Sequence, residues 1–120
     1  MLKILVVDDH GKVLDLMTEI LSEHNISTAS NASEAIQKIL QEAPAQFDAI
    51  ISDYNMPEMD GVSFLEIAKN ISPNTKRILM TCEEKSRFII PIEKGTVQEF
   101  IGKPAHISEI LSVVEKKSAC

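Results

Sequence analysis

Four apolar runs in this chain stop at side chains that carry charge or donate a proton. Leu2 to Val7 stops at Asp8 and Asp9, Phe47 to Ser52 at Asp53, Arg77 to Met80 at Thr81, and Phe100 to Gly102 at Lys103. Carboxylates gathered at one place repel each other, so either one keeps its proton or a divalent cation neutralises them. Oxygen-only donors around a small site favour magnesium, with manganese as the alternative. Beside such a cation, a carboxylate can attack a phosphoryl donor and carry an acyl phosphate. The cation and a lysine then offset charge on the transferring oxygens, and the Thr81 hydroxyl can donate a hydrogen bond to them.

Each of these residues has a plainer explanation when taken singly. An Asp after a strand usually caps a helix or forms a turn. Lys103 reads as a solvated lysine whose backbone is held extended by Pro104, across a bond that tolerates the cis form. Phe100 reads as core. The combination is harder to dismiss, because separate strand ends meet at one edge only if the elements between them are right. Val13, Leu16, Met17, Ile20, Leu21 and His24 stand at helical spacing after the first strand. Ile26 to Ser30 is a weaker strand. Asn31 with Glu34 then opens a helix as a capping box, its stripe formed by Ala32, Ala35, Ile36, Ile39, Leu40 and Ala43 before Pro44 closes it. Asn55 to Gly61 reads as a loop leading into a helix with Val62, Phe64, Leu65, Ile67 and Ala68 inward. A fourth helical segment spans Phe88 to Glu93, and Ile107, Ile110, Leu111 and Val114 mark a fifth at i, i+3, i+4 and i+7. Strand and helix alternating about five times argue for a parallel sheet with helices on both faces, where ligands bind beyond the carboxyl ends of the strands.

Composition narrows the function classes. The 120 residues suit one domain, and 44% hydrophobic with 25% charged residues is an ordinary globular mixture. Twelve Lys and Arg against 18 Asp and Glu leave a formal net charge of −6, which argues against direct nucleic-acid binding. No apolar run approaches the roughly 20 residues of a membrane span, and no secretory leader pattern opens the chain. The two cysteines, Cys82 and Cys120, form no disulfide framework and read as free thiols in a reducing, cytoplasmic setting. Lys116 to Cys120 reads as a frayed polar end.

These residues resemble the receiver domains of two-component response regulators, across essentially residues 1–120. The most specific part is Asp53-Tyr54-Asn55-Met56-Pro57-Glu58-Met59-Asp60-Gly61, which meets the family's D-x-x-M-P-x-M-D-G signature at every fixed place, and Asp53 follows Asp9 by 44 residues, a separation typical of the family. The resemblance implies a flavodoxin-like, doubly wound five-stranded parallel sheet of order 2-1-3-4-5; the order is one that general accounts of doubly wound folds already illustrate with a chemotaxis member of this family. It implies Asp53 as phosphoacceptor, with magnesium held by Asp8, Asp9, Asp53 and the backbone carbonyl of Asn55, Asp8 acting mainly through water. Lys103 would pair with the phosphoryl group and Thr81 would swing toward it. Phe100 stands at the aromatic switch, and Asn55 and Glu83 at the positions that tune acyl-phosphate hydrolysis. The implied partners are a histidine kinase or histidine phosphotransfer protein, and a downstream protein that reads the fourth helix, fifth strand and fifth helix.

Some residues depart from the pattern. Pro91 falls inside the fourth helix and predicts a short or kinked one. Cys82 and Thr96 stand where alanine is usual, and Ala105 where a larger apolar residue is frequent; Cys82 predicts slightly narrower access to the phosphoryl site. Three other readings stand beside the first: an interaction module indifferent to phosphorylation, a receiver excised from a longer regulator, and a metal-dependent aspartyl-phosphate phosphatase. Against the last, the place two residues after the nucleophile holds Asn55 rather than a general acid.

Overall fold

A computed structural model describes residues 1–116. The expected frayed end and the Cys120 thiol lie outside these residues, Lys116 apart. Strands β1 (Lys3–Val7), β2 (Asn25–Ala29), β3 (Ala49–Asp53), β4 (Lys76–Thr81) and β5 (Glu99–Gly102) alternate with helices α1 (Gly11–Ile20), α2 (Ala32–Glu42), α3 (Gly61–Ile71), α4 (Ile89–Glu93) and α5 (Ile107–Glu115). All strand pairs are parallel and the sheet order is β2-β1-β3-β4-β5, as expected. Among the described residues, no helix is long and apolar enough to cross a membrane.

The continuous apolar strands follow from burial on both faces. Successive side chains alternate, so Leu5, Val7, Ile50 and Leu79 pack with α2 and α3 through Ala35, Ile39, Phe64, Leu65 and Ala68. Ile4, Val6, Ile51, Ile78 and Met80 pack on the other face with Leu14 and Met17 of α1 and Ile110 and Val114 of α5. Gly61, at the start of α3, lies against β3 so tightly that a Cβ there would come within 2.2 Å of the Asp53 carbonyl oxygen.

Helix starts match local chemistry where a cap is present. Asn31 Oδ1 accepts the Glu34 N–H at 2.8 Å, and Glu34 reaches back to the Ser30 N–H at 2.9 Å, one residue before the cap. Asp60, expected only as part of a turn, caps α3 by accepting the Ser63 N–H at 2.8 Å. Pro91 stands in the first turn of a five-residue α4, preceded by a 3-10 turn over Lys85–Phe88. A proline is tolerated in a first turn because the N–H it lacks has no helical partner there, and its ring prevents one regular helix from running back through Lys85. The helix is therefore short, as expected.

Several expected inward residues point outward: Leu16, Leu40 and Ile107 are each more than half exposed. Helix α1 ends at Ile20, and Leu21 just beyond it is still fully buried in the core. His24 lies beyond the helix, accepting the Leu2 N–H at Nδ1 and donating from Nε2 to Glu115 at 2.8 Å. Two cations at the start of β4 are buried instead. Arg77 donates to the carbonyls of Thr75, Gly95 and Thr96, and Lys76 to those of Val113 and Lys116, so both satisfy orphan backbone acceptors near helix ends. Burial lowers the pKa of each.

Candidate functional site

Strands β1 and β3 are neighbours, and the chain leaves them toward opposite ends of the sheet order, which opens a crevice beyond their carboxyl ends. Asp8 and Asp9 follow β1 directly, whereas Asp53 is the last residue of β3 rather than the residue after it. Acidic or imidazole ligand atoms of Asp8, Asp9, His10 and Asp53 lie within 4.8 Å of one another. Lys103, carried to the same edge by β5, donates from Nζ to Asp53 Oδ1 at 2.9 Å and stands 3.5 Å from Asp8 Oδ2.

Burial sets the electrostatics. Asp8 is fully buried and Asp53 is 5% exposed, while Asp9 faces solvent. Burial pushes the Asp53 carboxyl above its ordinary value; the hydrogen bond from Lys103 opposes that rise and the charge of Asp8 reinforces it. For Lys103, burial alone would lower the ammonium, but the hydrogen bond to Asp53 and the charges of Asp53 and Asp8 together hold it above the usual lysine value. One ammonium is thus shared by two carboxylates. Asp8 Oδ1 accepts the His10 backbone N–H at 2.9 Å, whereas Asp8 Oδ2 is buried without any hydrogen bond. A buried carboxylate oxygen without a hydrogen bond, which shares one ammonium 3.5 Å away with a second carboxylate, is under-compensated, and the three carboxylates together chemically fit a divalent cation.

The remaining expected residues surround this pocket unevenly. Thr81 is buried at the end of β4, its Oγ1 accepting the Glu83 N–H at 3.1 Å. Asn55 lies exposed in the loop after β3. In that loop Glu58 adopts φ 77°, a conformation costly for a residue with a Cβ, and the Met59 N–H bonds the Pro57 carbonyl across it. Glu83 is engaged by Arg87 one turn along the chain, so its carboxylate is tied to the 3-10 turn rather than free. Phe100 is half-buried with its ring centroid 5.9 Å from Phe88, which in turn meets Tyr54 edge-on at 4.9 Å. Three rings therefore connect the loop beside Asp53 with α4 and β5.

The departures resolve in different ways. Cys82 is exposed, lining an apolar groove with Val13, Met17, Met80 and Ala105. Thr96 is buried and donates its hydroxyl to Glu66 of α3. His10 was not among the expected site residues. Its ring Nδ1 lies 3.0 Å from Asp8 Oδ1 and 3.2 Å from Asp9 Oδ1. The hydrogen bond to Asp8, with the charge of Asp9, raises its pKa. The available signal was its place directly after the acidic pair.

Comparison with known proteins agrees with this fold. The pattern of the response regulator receiver domain matches residues 4–115. The chemotaxis protein CheY of Bacillus subtilis is 26% identical over 117 residues, covering 95% of each chain. The DNA-binding transcriptional regulator NtrC of Azospirillum brasilense is 30% identical over 115 residues, which span 94% of this chain but 23% of that longer protein. The chemotaxis response regulator CheY4 of Vibrio cholerae superposes with a TM-score of 0.83 at 27% identity, covering 96% of this chain and 97% of that one. With its sheet order and the match over residues 4–115 in agreement, the chain belongs to the response regulator receiver domain family of two-component signalling.

Proposed function

We propose that this receiver accepts a phosphoryl group on Asp53 from the phosphohistidine of a histidine kinase or phosphotransfer protein, with magnesium bound. The observation that carries the reading is the Asp53 carboxylate, buried beside Asp8 and hydrogen-bonded to Lys103 at 2.9 Å. An Asp53 oxygen attacks phosphorus while the phosphorus–nitrogen bond of the donor breaks, and the electron pair and a proton end on the donor imidazole. Asp8, Asp9, Asp53 and the Asn55 carbonyl would hold the cation, magnesium or manganese, which supplies positive charge to the transferring oxygens. Lys103, hydrogen-bonded to Asp53, supplies a second positive charge. Thr81, its hydroxyl oxygen already accepting a backbone hydrogen bond, keeps its proton for a phosphoryl oxygen after a short movement.

The new charge would bias the domain between two arrangements that a downstream protein distinguishes through α4, β5 and α5. Phe100 would couple the pocket to that face through Phe88, and Asn55 and Glu83 would govern how water reaches the acyl phosphate. Incubating the protein with magnesium and a small acyl phosphate should add one phosphoryl group by intact mass, and Asp53→Asn should abolish the addition. An unchanged mass in the wild type defeats the reading.

A second reading, output indifferent to phosphorylation, draws on the five-residue α4, which leaves less helical surface to change. It gains if a captured partner binds Asp53→Asn and phosphorylated wild type equally. The phosphatase reading lacks a general acid at Asn55, and sustained turnover of a phosphomonoester would be needed to revive it. The long Azospirillum brasilense relative supports treating the domain as able to work inside a larger regulator.

A further inference from the structure

His10 occupies a position that local helix chemistry does not explain. It is the residue before α1, where Ser, Asp or Asn would accept a backbone N–H, yet its side chain makes no capping bond. The ring turns instead toward the crevice, although two-thirds of the side chain is exposed and free to leave it. Nδ1 stands 3.0 Å from Asp8 Oδ1 and 3.2 Å from Asp9 Oδ1. Ligands bound at about 2.1 Å around an octahedral ion lie about 3.0 Å apart along each edge, so the nitrogen already stands about one such edge from two carboxylate oxygens and needs only to give up the proton it shares with Asp8 Oδ1 to become a ligand. The site also contains the buried Asp8 Oδ2, which has no hydrogen bond and shares the Lys103 ammonium, 3.5 Å away, with Asp53; that shortfall of positive charge is the independent sign that a cation belongs there.

We propose that His10 contributes an imidazole nitrogen to the cation held by Asp8, Asp9 and Asp53, so that the pocket prefers manganese and other first-row transition ions to magnesium. This rests on the cation reading of the same site. Magnesium is a hard ion that takes oxygen and parts reluctantly with water, whereas first-row transition ions accept imidazole alongside carboxylate. An imidazole added to the carboxylates and the Asn55 carbonyl therefore widens the preference for these ions beyond what an all-oxygen set gives.

The alternative is that the ring is only a cationic partner for Asp8 and Asp9, and the two roles have opposite signs. Removing a ligand weakens the ion that used it. Removing a competing positive charge strengthens every divalent ion. The test titrates the wild-type chain, His10→Ala and His10→Gln with Mn2+ and with Mg2+ by calorimetry, and examines the Mn2+ complexes by pulsed EPR for coupling to a directly bound nitrogen. The expected result is a Mn2+ affinity about tenfold or more weaker in both variants, Mg2+ affinity nearly unchanged, and a nitrogen coupling present only in the wild type. If both ions bind the variants equally well or more tightly, or no nitrogen coupling is seen in the wild type, the inference is overturned while the carboxylate site stands. If the wild type binds neither ion saturably, the cation reading falls and the inference with it. Phosphorylation of Asp53 is scored separately by mass.

Discussion

Replacing Asp53 with Asn should stabilise the fold in the absence of divalent cations. Asp53 Oδ1 lies 2.9 Å from the Lys103 ammonium, an attraction of about 6 kcal/mol at an effective dielectric of about 20. Asp8 approaches within 4.8 Å, a repulsion of at least about 3.5 kcal/mol on the same basis. The surviving attraction, about 2 kcal/mol, must offset the several kcal/mol that burying a charge costs. Because Asp53 titrates above its ordinary value, burial and Asp8 outweigh Lys103. Asn keeps the hydrogen bond from Lys103 and sheds the charge, so a gain of about 1–2 kcal/mol is expected, or roughly 4–8 °C in Tm for a domain of this size. The pH dependence follows from the direction of the shift. The stability of the protonated carboxyl is full below the unfolded value of 3.8 and is lost as pH rises through the higher folded value. The advantage of Asn should therefore open with rising pH across that window and persist at pH 7. Urea unfolding followed by circular dichroism, with chelator and then with magnesium, measures it; magnesium at about 100 times its Kd adds about 2.7 kcal/mol to the wild type and should narrow the gap. An Asp53→Asn protein less stable than wild type at pH 7 in chelator would refute the reasoning.

Other perturbations test separate parts of the structure. Gly61→Ala forces a methyl to within 2.2 Å of the Asp53 carbonyl oxygen and should cost about 2–3 kcal/mol by urea unfolding. Phe88→Ala removes the buried ring between Tyr54 and Phe100 and should cost about 3–5 kcal/mol. Lys103→Met takes away the group that opposes the rise of the Asp53 pKa, so the midpoint of that carboxyl, followed by carbon NMR, should move further up. Asn31→Ala removes the α2 cap and should cost about 1 kcal/mol, read as earlier loss of helical signal in urea.

The order of elements, the Asn31 cap and the sheet order were legible because each depends on local spacing or on a signature contiguous from Asp53 to Gly61. Strand and helix periods follow from backbone geometry within a few residues, and the acids at the strand ends inherit their place from it. Other features depend on what covers a surface. Leu16, Leu40 and Ile107 have the right period yet face solvent, since no element among the described residues packs over them. Lys76 and Arg77 are buried although charged, because distant helix ends present carbonyls to which they donate. Asp60 passed for turn chemistry, because an Asp before Gly serves a turn or a cap equally well until the helix direction is known.

For this chain, the amino-acid order alone determined a doubly wound receiver with acids at the ends of β1 and β3. Tertiary packing decided that Asp8 keeps a buried oxygen without a hydrogen bond, that Lys103 divides one charge between two carboxylates, and that the His10 ring joins the cluster. Patterning propagates along the chain through bond geometry, whereas charge and solvation act through space between residues that the sequence separates widely.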